Sequence, residues 1–182
     1  YPLCCIRQFI YRKGSQKSFI YTSTRFQNDP ERGRYIMDYK LNILANIPLI
    51  FHMPCTPDCT ASRILAGKVL KLYHDYSPVF IKQIVRFLRQ PALVFNTENY
   101  VRLNGKFAGN KIRYCGIEHV HYPYFADGNK RFENIRINQL VKTLSKGNIL
   151  VFDAVAFSIL DNKDLLVTVE YRNFPFQVYD FR

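Results

Sequence analysis

The pattern of hydrophobic and polar positions changes near residue 90. Before Pro91, apolar residues recur at helical spacing, which predicts four helices. They cover about residues 3–13, 30–46, 57–76 and 78–90. After Pro91, apolar and polar residues alternate as they do in β-strands. The chain therefore divides into a helical half, residues 1–90, and a β-rich half, residues 91–182.

Turn residues set the order of elements in the second half. Asn104-Gly105 and Gly109-Asn110 predict turns within a β-meander. A loop at residues 124–135 leads to a short helix that Gly147 closes, and three strands with a turn at residues 161–164 complete the chain. Segregated helices and strands predict an α+β fold, in which the helical half packs on a mostly antiparallel β-rich half as one compact domain.

Two helix starts are marked by a hydroxyl residue followed by proline. Thr56 precedes Pro57, and Ser77 precedes Pro78. The hydroxyl can cap free backbone N–H groups, and proline suits the first helical position. Pro2 predicts the start of the first helix for the same reason.

Four of the five cysteines lie near helix starts. Cys4 and Cys5 are adjacent in a first helical turn, and Cys55 and Cys59 flank the predicted cap at Thr56. Backbone N–H groups at a helix start carry partial positive charge, which lowers the pKa of a thiol and favours the thiolate. The spacing predicts that the two pairs converge on one site.

Four thiolates suit either a tetrahedral zinc ion or an iron–sulfur cluster, and the pattern does not separate the two. His52 lies three residues before Cys55 and is a candidate ligand or orienting group. The first hypothesis takes Cys4, Cys5, Cys55 and Cys59 as ligands that His52 orients or completes. Because adjacent side chains diverge along a helix, the alternative is that one of Cys4 and Cys5 is structural. Three thiolates with His52 or an exchangeable ligand would then form an open, reacting site.

Other interpretations of the cysteines stay open. The thiols could be inert core residues, a disulfide in an exported protein, or the nucleophile of a thiol-dependent enzyme. For an enzyme, Cys55 is the candidate nucleophile, since it lies outside the cap, and His52 is the candidate base. Cys115 stands alone in a predicted strand and is expected in the core.

The two cysteine segments form a pair of motifs, YP-x-CC-[IV]-x-x-F and H-x-P-C-x-x-x-C-x-x-S. The matching residues are Tyr1, Pro2, Cys4, Cys5, Ile6, Phe9, His52, Pro54, Cys55, Cys59 and Ser62. This pair resembles a prokaryotic family that is defined only as a domain of unknown function. The resemblance is strongest in the N-terminal half. It supports treating the motifs as one site and implies no reaction.

The chain is basic, with 26 Lys and Arg against 14 Asp and Glu, a formal net charge of +12. Such a charge favours an acidic partner, either nucleic acid or an acidic protein. Arg113, Lys130 and Arg131 lie beside aromatic residues in the β-rich half and are the candidate phosphate contacts.

Few further motifs carry chemistry. His119 and His121 would share one face of a strand, as a second metal pair or as ordinary exposed residues. Phosphate-loop, nucleophile-elbow, dinucleotide-binding and zinc-protease motifs do not occur.

No apolar run is long enough to span a bilayer. The cysteine usage favours a reducing compartment, and we expect a cytoplasmic protein.

Overall fold

A computed structural model of the chain describes residues 2–11, 34–45, 47–50, 54–56, 58–95, 99–121, 131–170 and 177–182. The chain forms two compact units. Unit 1 comprises Tyr1–Gln27, Ile36–Gln90 and Asp180–Arg182, and unit 2 comprises Asn28–Tyr35 and Pro91–Tyr179.

Helices supply most of the described structure in unit 1. They are α1 (Leu3–Tyr11), α2 (Thr60–Tyr76) and α3 (Pro78–Leu88), with a 3₁₀ turn at Tyr39–Leu41. Fully buried side chains from three of these elements form the core of the unit: Leu41, Ala66, Ile84 and Leu88. No helix within the described ranges is long and apolar enough to cross a membrane.

The start of α3 confirms its sequence signal. Ser77 is the N-cap, and its hydroxyl accepts a hydrogen bond of 3.3 Å from the backbone N–H of Phe80. Pro78 occupies the first helical position, where its missing N–H costs no hydrogen bond. The local sequence is therefore sufficient to place this helix end.

The described strands form one eight-stranded sheet in the order β1-β8-β2-β3-β4-β5-β6-β7. Their bounds are β1 Arg34–Met37, β2 Ala92–Val94, β3 Asn99–Ala108, β4 Lys111–His121, β5 Ile149–Phe152, β6 Ala156–Asp161, β7 Asp164–Glu170 and β8 Gln177–Phe181. The pairings of β2 through β8 are antiparallel. Helices together with a mostly antiparallel sheet make the fold α+β, as predicted.

Unit 2 has its own hydrophobic core between the sheet and α4 (Arg131–Leu144). The helix contributes Ile137, Leu140 and Leu144 to a cluster that also contains strand residues such as Val101 and Phe157. Alternation along the strands turns every second side chain into this cluster, which is why the sequence pattern had period two.

The predicted helix over residues 30–46 is wrong where the structure describes it. Residues 34–37 form β1, and the 3₁₀ turn follows. Met37 and Tyr39 exchange backbone hydrogen bonds of 2.9 and 2.8 Å with Arg182 at the far end of the chain. These long-range backbone partners override the local helical pattern.

Three details of the β-rich region also differ from the prediction. The Gly109-Asn110 turn is confirmed, with Gly109 at a φ of 62°, but Asn104-Gly105 is a register irregularity inside β3 and not a turn. The described C-terminal region has four strands, β5 to β8, where three were expected. α4 begins at Arg131, within the predicted loop.

Candidate metal centre

Four sulfur atoms lie together in unit 1. The Sγ atoms of Cys4, Cys5, Cys55 and Cys59 are all within 4.8 Å of one another. The Sγ of Cys59 lies 3.7 Å from that of Cys4 and 3.8 Å from that of Cys5. The Cys55–Cys59 distance is 3.6 Å and the Cys4–Cys5 distance is 3.8 Å. All five cysteines are free thiols, and the four-cysteine cluster is compatible with metal binding.

α1 presents two adjacent cysteines to this cluster. The carbonyl of Pro2 accepts backbone hydrogen bonds of 3.0 Å from Cys5 and 3.1 Å from Ile6, which start the helix. Cys5 is buried and Cys4 is exposed, yet both sulfurs belong to the group. The structure therefore brings the sulfurs of both adjacent cysteines into the group.

The other two cysteines lie on the turn before α2. The sequence predicts a helix start at Pro57, but α2 begins at Thr60 with Cys59 as its N-cap. The Cys59 N–H donates a 3.2 Å hydrogen bond to the Thr56 carbonyl, and Cys59 has a ψ of 107°, far from helical values. A turn rather than a helix therefore separates Cys55 from Cys59, and it brings their sulfurs together.

The cluster is buried on one side and open on the other. Cys5 is 6% exposed and Cys59 5% exposed, whereas Cys55 is half-buried and Cys4 is exposed. A metal ion can therefore reach the site from the side of Cys4 and Cys55 without unfolding of the protein.

Ser62 is a site residue whose role the sequence reasoning missed. It is fully buried, and its Oγ lies 3.4 Å from the Sγ of Cys5. It follows Cys59 by three positions, so both residues face the same side of the start of α2. This three-residue spacing at a helix start was the signal that could have indicated a hydroxyl beside the thiols.

Burial and hydrogen bonds between the cluster residues give the thiols different pKa values. Burial raises the pKa of Cys5 above its ordinary value of 9.0. Burial, followed by hydrogen bonds with Cys59 and Cys4, raises the pKa of Cys55 strongly. Burial also acts to raise the pKa of Cys59, but hydrogen bonds led by those of Ser62 outweigh it and lower that pKa to about 6. Cys59 is therefore a thiolate near neutral pH when no metal is bound.

These acidities do not favour the proposed nucleophile. A reactive Cys55 requires a lowered pKa, whereas its pKa is raised. His52 lies outside the described residues, so its suggested roles as ligand, orienting group and base stay predictions. The described part of the site consists of four thiols and one hydroxyl.

Cys115 is not part of the cluster, and the expectation that it lies in the core is wrong. It is exposed on β4, and its Sγ lies 3.4 Å from the carbonyl oxygen of Asn104. Ile112 and Tyr114 on the same strand point into the core of unit 2. Because strand side chains alternate, Cys115 faces the opposite side.

The residues suggested for nucleic acid are only partly described. Arg113 is exposed on β4, Lys130 lies outside the described residues, and Arg131 is described only by its backbone at the start of α4. The Nε2 of His119 lies 3.3 Å from the Oδ1 of Asn99, while the side chain of His121 is outside the described part. The phosphate-contact and two-histidine hypotheses stay predictions.

No protein-family model matches the chain, and neither a curated protein nor a solved structure shows significant similarity to it. The resemblance of the two cysteine motifs to a prokaryotic family therefore stays a prediction. The assignment of a function therefore depends on the geometry of the four-cysteine cluster.

Proposed function

We propose that the protein binds one zinc ion through Cys4, Cys5, Cys55 and Cys59, and that the ion fixes the N-terminal fold of unit 1. The supporting observation is the size of the cluster. Four of its sulfur–sulfur distances run from 3.6 to 3.8 Å. A tetrahedral ion with metal–sulfur bonds of about 2.3 Å holds its ligands about 3.8 Å apart.

The same distances favour a single ion over an iron–sulfur cluster. In a four-iron cluster each thiolate binds a different iron, so the four sulfurs are spread around the cluster. Here all of them lie within 4.8 Å of one another. Four thiolates in tetrahedral geometry suit zinc, whereas magnesium, calcium and manganese prefer oxygen ligands.

A structural role is favoured over a catalytic one. Four protein thiolates complete a tetrahedral zinc shell, whereas catalytic zinc keeps one position for water or substrate. The ion would join residues that are 55 positions apart in sequence, Cys4 and Cys59. Closing so long a segment removes much chain entropy from the unfolded state.

α1 itself indicates why such a link is needed. It has nine residues, and isolated helices shorter than about 12 to 15 residues are marginal in water. Of residues 3–7, whose side chains are described, only Cys5 is buried. Leu3 and Ile6 are exposed. In this part of α1, thiol contacts and not apolar burial attach the helix.

The test compares two exposed cysteines, one inside the cluster and one outside it. Cys4→Ser should lose bound zinc and lower the melting temperature, because serine is a poor zinc ligand. Cys115→Ser should keep one zinc per chain and the wild-type melting temperature. Metal analysis of protein purified without added metal, followed by thermal unfolding with and without a chelator, measures both quantities.

Two results would contradict the proposal. One is iron with inorganic sulfide in the purified protein. The other is equal zinc binding by Cys4→Ser and wild type. Cobalt substitution adds a spectroscopic readout, since tetrahedral thiolate coordination gives intense visible bands that Cys4→Ser should lose and Cys115→Ser should retain.

A further inference from the structure

The positive charge of the protein is concentrated in unit 1. This unit carries 13 Lys and Arg against 4 Asp and Glu, a net charge of +9, and unit 2 carries 13 against 10, a net charge of +3. Most of the electrostatic attraction for an acidic partner therefore originates in the unit that contains the cysteine cluster.

Within unit 1, α3 and its C-cap residue Arg89 present a row of cations. Lys82, Arg86 and Arg89 are exposed and follow one another at spacings of four and three residues. Because each residue turns the helix by about 100°, the three positions lie within roughly 60° around the helix axis. The row extends for about 10 Å along that axis. Ile84 and Leu88 are fully buried on the opposite side. Amphipathicity therefore directs the three cations away from the core.

α3 itself contains no acidic residue. The contrast is α2, where Lys71 pairs with Asp75 at 2.6 Å and Arg63 pairs with Asp38 at 2.6 Å. Two cations of α2 thus have acidic partners, whereas α3 itself contributes no acidic residue.

An aromatic ring lies at the C-terminal end of the row. The guanidinium carbon of Arg89 is 4.6 Å from the centre of the Tyr39 ring, and the Nζ of Lys40 is 5.6 Å from it. Both cations are attracted to the ring by its quadrupole, which holds the long Arg89 side chain in place. A guanidinium stacked in this way offers a flat, charged surface to a further planar group.

We propose that Lys82, Arg86 and Arg89, together with Lys40, form a surface that binds the phosphate backbone of a nucleic acid. We call these four residues the α3 basic face. Its cations are about 6 and 4.5 Å apart along the helix axis, which suits a linear polymer with a negative charge at every nucleotide. The Arg89–Tyr39 pair is positioned to stack on an unpaired base, a contact that single strands offer. The basic face is a separate site from the cysteine cluster and does not depend on the identity of the metal.

The experiment measures binding of the full-length protein, purified with its metal, to fluorescent 20-nucleotide RNA, single-stranded DNA and duplex DNA. The decisive variant is Lys82→Ala/Arg86→Ala/Arg89→Ala, since alanine keeps the helix propensity of α3. The matched control is Lys142→Ala/Lys146→Ala/Lys163→Ala. It removes the same charge from exposed positions of unit 2.

The α3 variant should lose at least tenfold in affinity at low salt, whereas the control should change by less than about threefold. The slope of log affinity against log salt should become shallower by about two to three in the α3 variant. Each phosphate contact that is lost means that fewer counterions are released on binding. Preference for either single strand over the duplex supports the stacking contact, and RNA compared with DNA identifies the natural class.

Three outcomes overturn the proposal. The first is the absence of binding to any nucleic acid even at low salt. The second is an equal loss in the two triple variants, which would assign the effect to net charge alone. The third is stronger binding to polyglutamate or to vesicles with anionic lipids than to nucleic acid, which would assign the face to an acidic protein or to a membrane surface.

Discussion

Cys59 is the residue on which the candidate metal centre depends most. It is the N-cap of α2, its sulfur is within 3.8 Å of the other three, and its pKa of about 6 makes it a thiolate near neutral pH. An incoming cation therefore meets one preformed negative charge. Cys5 and Cys55, whose pKa values are raised, must lose their protons to bind the ion.

Zinc affinity is consequently expected to fall steeply with decreasing pH. The pKa values of Cys5 and Cys55 are raised above 9.0, so both release a proton when zinc binds near neutral pH. Cys59 releases one only below about pH 6. The logarithm of the affinity should thus rise by at least about two per pH unit between pH 7 and 8, and more steeply below pH 6. Competition with a chromophoric chelator measures this slope, and a value near zero would contradict the four-thiolate site.

Removal of the Ser62 hydroxyl tests the contact beside the thiols. Ser62→Ala should weaken zinc binding about tenfold, because residues that orient metal ligands commonly contribute 10- to 100-fold to affinity. Alanine favours the helix, so circular dichroism should be unchanged. The control is Thr60→Ala, an exposed position in the same turn. Equal affinities of both variants would exclude a role for the hydroxyl.

At the scale of elements, the β3–β4 pair shows how a single missing side chain sets a register. The pairing shifts between Leu103 and Gly105. A Cβ built on Gly105 would collide with the carbonyl oxygen of Arg113 and lie 2.7 Å from the Cβ of Tyr114. The close backbone approach at this irregularity therefore requires glycine.

Gly105→Ala is expected to lower the free energy of unfolding by about 2 to 3 kcal/mol, since the collision involves backbone that cannot move easily. Gly116→Ala is the control, because a Cβ at that position on β4 meets nothing within 4 Å. Urea denaturation of both variants at constant m-value gives the comparison. A loss of stability at Gly116 as large as that at Gly105 would show that the irregularity is not the cause.

At the scale of the whole molecule, the two units differ in what accompanies their hydrophobic cores. Unit 2 contains a hydrophobic core of strand residues and α4, while unit 1 contains the four-cysteine cluster in addition to its buried apolar side chains. We expect removal of the metal to accelerate amide hydrogen exchange in α1 and at the start of α2, with β3, β4 and α4 unchanged. Exchange measured by mass spectrometry with and without chelator tests this. A uniform loss of protection would argue against a metal site that stabilises unit 1 locally.

Local chemistry was sufficient for several features that the sequence predicted. Ser77 and Pro78 place the start of α3 because capping and the fixed φ of proline act within a few residues. Gly109 places the β3–β4 turn because it adopts a positive φ without strain. The period-two pattern of the β-rich region and the grouping of four cysteines at two chain segments likewise follow from neighbouring positions alone.

Only the tertiary structure decided the features that depend on distant partners. Residues 34–37 form a strand because the C-terminal Arg182 supplies backbone hydrogen bonds to Met37 and Tyr39 that no neighbouring residue could replace. Cys115 is exposed because the core covers the other face of β4. Cys4 and Cys5 both reach the cluster because α1 is placed against the turn at Cys59, an arrangement set by contacts 54 and 55 residues apart. The chain sequence specifies which groups can bind a metal, and the long-range contacts bring them to the distance at which they can bind it together.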